Sequence, residues 1–116
     1  MKESVLREKS LRFAIRIVKL SKHLMDIHKE FVLSKQVLRS GTAIGALLRE
    51  AEHAESKPDF IHKLSIALKE ANETAYWLIL LKETHFIEEG PFESINEDGT
   101  ELIKLLTASI NTTKKK

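Results

Sequence analysis

Leu6, Phe13, Leu20 and Ile27 recur every seven residues, with Ser10, Ile17 and Leu24 between them. This a/d pattern belongs to a helix that buries one stripe, and it predicts a helix over residues 4–28. The side away from that stripe is basic: Lys9, Arg12, Arg16, Lys19 and His23 follow steps of three and four and form one line. "HKEFVLS" reads as a connection, with Ser34 as the expected cap of the next helix. A second stripe, Val37, Gly41, Ile44, Leu48, Ala51 and Glu55, predicts a helix running to about residue 55.

Ser56 and Asp59 have capping-box spacing, and Pro58 suits a first turn. The third helix is expected over residues 58–85. Phe60, Leu64, Ala67, Ala71, Thr74, Leu78 and Leu81 form its stripe, widened by Ile61, Leu68 and Ala75. "IEEGPFES" is expected to break it, with Gly90-Pro91 as the stop. Ser94 and Glu97 again have capping-box spacing. Ile95, Leu102, Leu106 and Ile110 mark a fourth helix that fades at "NTTKKK", with Gly99 weakening its start. Four amphipathic helices with short connections predict an all-α, antiparallel up-down-up-down four-helix bundle. Residues 1–113 form the single domain and residues 114–116 a basic tail.

Composition agrees. The chain has 116 residues, no cysteine, two prolines and four glycines, which excludes a disulfide framework or a thiolate zinc site. There is no apolar segment of signal-peptide form, and no run reaches the ~18 apolar residues of a membrane span. A cytoplasmic protein without membrane association is the expectation. Charge changes the picture more. The net charge of +2 conceals a basic first half: residues 1–50 hold eleven Lys/Arg against five Asp/Glu, and residues 51–113 hold five against twelve.

The middle of the second helix is unusual. Gly41, Thr42, Ala43, Gly45 and Ala46 are nearly all small, although glycine inside a helix costs about 1 kcal/mol relative to alanine. Small side chains let another backbone approach, so Gly41, Gly45 and Ala46 are candidates for a tight crossing within the subunit or between subunits. Gly41 lies on the apolar stripe; Gly45 lies at its edge and is the better inter-subunit candidate. A phosphate loop is not indicated, because no strand precedes the run and no Gly-Lys-Ser/Thr follows it.

These residues also carry a resemblance. "LSKQVLRSGTAIGA" (33–46), "REA" (49–51), "DFIHKLSIALKEANET" (59–74) and "YWLILL" (76–81) are similar to the central signature of the 23S rRNA intervening-sequence protein family, and "KSLRFAIRIVKL" (9–20) resembles its first helix. Ala43 and Leu47 stand where the family often has serine and asparagine. The resemblance implies an antiparallel four-helix bundle, barrel-like homopentamers, and small open reading frames that in some cases lie inside insertions of large-subunit ribosomal RNA genes. A similar protein, the accessory variability determinant of diversity-generating retroelements, binds a reverse transcriptase and nucleic acid through a basic surface. The family offers no catalytic residues and no cofactor to carry over.

Three function classes follow. The first is an RNA- or nucleic-acid-associated adaptor that uses Lys9, Arg12, Arg16 and Lys19, with Arg7, Lys22 and Lys35 nearby; clustered positive charge attracts phosphate without needing a pocket. No aromatic residue interleaves this line, so the expected contact is with the backbone. The second is a scaffold for a protein partner such as a reverse transcriptase. The third is a metalloenzyme built on Glu50-x-x-His53, echoed by Asp59 to His62. A helical wheel turns Glu50 and His53 away from the stripe, whereas di-iron ligands face inward, so no metal site is expected. Lys63, Lys69, Glu70 and Glu73 read as an exposed, paired helix face. Tyr76 and Trp77 read as aromatic edge packing, with Trp77 the leading single subunit contact. The five histidines are scattered along the chain, and no catalytic triad or dyad is visible.

Overall fold

The computed structural model describes residues 2–116, with side-chain surroundings from Val5 onward. Four helices account for most of it: α1 (Lys2–Asp26), α2 (Leu33–Ala51), α3 (Lys57–Glu83) and α4 (Glu89–Lys114). There is no strand among the described residues. Each helix packs on two neighbours, α1 on α2 and α4, and α3 on α2 and α4, so the four ring one core. The molecule measures 47 × 22 × 19 Å. The predicted stripes fill the core, with Phe13, Ile17 and Leu24 from α1 meeting Ile44, Leu78 and Leu106 from the others.

The chain leaves the predicted pattern at its helix ends. α1 stops at Asp26, so Ile27 does not extend the stripe and is 66% exposed. Lys29 then takes a left-handed conformation (φ 55°) that turns the chain. Ser21 occupies the buried position near that end and donates to the Ser34 carbonyl at 3.2 Å. Ser34 is not the cap of α2. Val32 holds that position without a side-chain cap. Glu30 does the capping instead: its carboxylate accepts from the Ser34 backbone N–H at 2.8 Å and from Val32 at 3.3 Å. A carboxylate there also complements the positive end of the helix dipole. Ser34 turns inward, and its hydroxyl donates to the Glu30 carbonyl at 2.7 Å.

Likewise α2 ends at Ala51, leaving Glu55 exposed beyond it. The Ser56 cap is as expected, accepting from the Asp59 N–H at 3.1 Å. α3 closes before Gly90-Pro91. His85 is left-handed (φ 67°), and the Phe86 and His85 N–H groups return to the Leu81 and Lys82 carbonyls. This is a Schellman stop with histidine where glycine is usual. Gly90 and Pro91 lie in the first turn of α4, where a missing proline N–H costs nothing. They start a helix rather than stop one, and Ser94 and Glu97 lie inside it.

Candidate nucleic-acid interface

α1 holds its basic line in the predicted register, but α4 answers much of it. Lys9 pairs with Glu101 at 3.1 Å. Arg16 Nη1 reaches Asp98 at 2.7 Å and its Nη2 donates to Ser94 Oγ at 3.0 Å. Arg12 pairs with Glu8 one turn back at 2.5 Å, and Arg7 with Glu52 at 2.9 Å. Lys19, Lys22 and Lys35 make no ion pair among the described residues. The contact of Ser21 with Ser34 brings their chain neighbours Lys22 and Lys35 to the same end of the molecule. Lysines without a direct ion pair among the described residues therefore gather at the end that carries the α1–α2 connection, where Glu88 also faces the groove.

A groove of about 470 Å³ opens at that end. Lys19, Leu20 and His23 of α1 line one side, His28 adds to it, and His85, Phe86, Ile87, Glu88 and Pro91 close the other. It continues along the α1–α4 seam past Arg16 to Ile95. The rings of His23 and His28 meet edge to face at 5.2 Å, and His28 meets Phe86 at 5.7 Å. Sequence reading treats these histidines as scattered. His23 and His28 meet across the end of α1, and the closed helix ring brings His85 to the same groove, which no local spacing signals. With Phe86 they give the end of the line an aromatic surface.

The remaining candidates lie elsewhere. Gly41 is buried at the α1–α2 crossing, where an added Cβ would come within 2.8 Å of Ile17 Cγ1 and Cγ2. Gly45 faces Ser10 of α1, 3.4 Å from its Oγ. Ala46 is exposed beside it, on a shallow groove with Leu11, Ala14 and Thr42. Trp77 is half-buried and donates from Nε1 to Glu73 at 2.9 Å. Glu73 also receives Arg39 of α2, which reaches Glu70 at 3.3 Å. The Trp77 indole first, and then the Arg39 guanidinium, hold the Glu73 carboxyl below its ordinary range. Lys63 pairs with Glu50 of α2 at 2.9 Å. Lys63, Glu70 and Glu73 thus find their ion-pair partners on α2 rather than within α3, and Lys69 makes no ion pair among the described residues. Glu50 and His53 both face solvent, and among the described residues no three His, Asp or Glu side chains are grouped to hold a metal ion.

This is a small all-α chain whose four helices ring one core and whose surface charge is sorted by helix and by end. It belongs to the 23S rRNA-intervening sequence protein family, whose model matches residues 2–108. It is similar to a crystal structure from Bacteroides thetaiotaomicron VPI-5482, a protein of unknown function from the S23 ribosomal protein family. The two share 60% identity and a TM-score of 0.94, over 96% of this chain and 99% of that one. No curated protein matches the chain. Among the described residues no helix is long and apolar enough to cross a membrane.

Proposed function

We propose that the protein is a non-enzymatic, cytoplasmic adaptor that associates with RNA or another nucleic acid through its phosphate backbone, and that it acts as a homo-oligomer. The observation that carries this reading is that Lys19, Lys22 and Lys35, which make no ion pair among the described residues, lie toward one end of the molecule. Lys9, Arg12 and Arg16 lie on the same line, but Glu101, Glu8 and Asp98 already hold them.

The contacts of α1 with α2 support the antiparallel up-down-up-down arrangement: Arg7 meets Glu52, Ile17 meets Gly41 and Ser21 meets Ser34. Two exposed apolar patches support assembly, Leu11, Ile15 and Val18 on α1, and Tyr76 and Ile79 on α3. Two different patches on helices that do not touch suit a head-to-tail ring better than a two-fold dimer. A homopentamer is the form that the family resemblance implies. Binding of unstructured RNA, followed by fluorescence anisotropy, should weaken steeply between about 50 mM and about 200 mM salt. Absence of binding at the lower salt would overturn the adaptor reading.

The second reading is a scaffold for a protein partner such as a reverse transcriptase. It is favoured by Ile27, Phe31 and Val32, which are exposed together on the α1–α2 connection.

A further inference from the structure

We propose that the groove lined by Lys19, His23, His28 and His85 binds a terminal phosphate monoester carried on a planar or apolar body. A mononucleotide and the 5′-phosphorylated end of a single strand both have this chemistry. In its strand-end form the proposal rests on the nucleic-acid reading above; in its mononucleotide form it stands without it.

The charged groups facing the groove are Lys19 and His23 from α1, His28 from the α1–α2 connection, and His85 and Glu88 from the α3–α4 connection. Each imidazole offers the groove a ring N–H donor beside the Lys19 ammonium. Such donors suit a doubly charged anion, whose hydrogen bonds are the stronger for its charge. A phosphate monoester is such an anion near neutral pH, whereas an internal phosphodiester carries a single charge.

The rest of the lining is apolar: Leu20, Phe86, Ile87 and Pro91. It offers a planar or apolar body a surface beside the cations. The groove's volume of about 470 Å³ lies within the range of small-molecule sites, about 300–1,000 Å³. His28 is braced edge to face by His23 and Phe86, so its ring is positioned before any ligand arrives. His85 holds a left-handed position where glycine is the least strained residue, and it places an imidazole at the rim.

Calorimetry on the full chain tests this with AMP, adenosine, and a short single strand with and without a 5′-phosphate. The variants are His28→Gln and His85→Asn, the latter because asparagine tolerates the left-handed conformation. Both histidines are exposed, and a thermal melt confirms the fold. AMP should bind at least about tenfold more tightly than adenosine. The double variant should lose that preference. Preference for the phosphorylated strand over its hydroxyl form assigns the strand end as the source. AMP binding without that preference assigns the free nucleotide. AMP binding no better than adenosine, with no preference for the phosphorylated strand, would overturn the proposal. So would an affinity for AMP indifferent to the double variant. Salt-dependent binding of long unphosphorylated RNA would survive either failure, which separates the groove from the backbone contact.

Discussion

At the scale of single residues, two glycines one helical turn apart have opposite roles. An alanine at Gly41 would place Cβ 2.8 Å from two branches of Ile17, which is fully buried and β-branched. Such a side chain is stiff and has no space to move into. Overpacking typically costs about 1–3 kcal/mol, more than the ~1 kcal/mol that alanine gains over glycine in a helix. At Gly45 the added Cβ meets Ser10 only at ordinary contact distance, 3.4 Å or more. Gly41→Ala should therefore lower the melting temperature, and Gly45→Ala should leave it unchanged or raise it. A thermal melt of the two variants decides. The same degree of destabilisation in both would mean that Gly45 is also a close crossing point, either against α1 or in the oligomer. Sequence pattern finds the small run and puts Gly41 on the stripe. It does not show which neighbour each glycine meets, because that depends on how far α1 lies from α2 at each level.

At the scale of elements, the stripes were legible throughout, since seven-residue spacing of apolar side chains is enough to define a buried helix face. Helix ends were less so. Ser56 and Asp59 declared a cap by local spacing. The α2 cap did not, because Glu30 acts from four residues before Ser34 and from outside the cap position that Val32 holds. His85 hid the end of α3, because a left-handed non-glycine residue leaves no composition signal. The Glu30 cap makes a pH prediction. Burial pushes its carboxyl up, but the N–H groups of Ser34, Leu33 and Val32 and the Ser34 hydroxyl together outweigh this, and hold it below its ordinary value of 4.5. A carboxyl depressed on folding contributes stability above its unfolded value, and loses it as pH falls through the folded one. Glu30→Gln should cost about 0.5–1 kcal/mol at neutral pH. Denaturant melts of variant and wild type should converge below about pH 4. A gap that persists unchanged in acid would show that the carboxylate charge is not what caps α2.

At the scale of the whole molecule, the basic first half anticipated from composition is present, but its charge is not free. α4 supplies carboxylates to Lys9 and Arg16, and Glu52, just past the end of α2, supplies one to Arg7. These pairings were illegible in the sequence because their partners lie 45 to 92 positions away. Lys19, Lys22, Lys29 and Lys35 remain toward one end, together with three histidines gathered there, while Arg49 lies beside Arg7 away from it. The central claim is that nucleic acid is held by these unpaired cations rather than by the line as a whole. Arg16→Glu is a poor test, since it would face Asp98 and push α4 away. Lys19→Glu, Lys22→Glu and Lys35→Glu leave no ion-pair partner behind among the described residues. The deciding measurement is the salt dependence of binding to unstructured RNA by this triple variant, beside a Lys9→Gln and Arg12→Gln control whose cations are already paired. The triple variant should bind at least about tenfold more weakly at low salt, and its log–log salt slope should flatten by about 2. The control should stay close to wild type. A triple variant that binds like wild type with the same slope, or a control that loses more than the triple variant, would contradict the account.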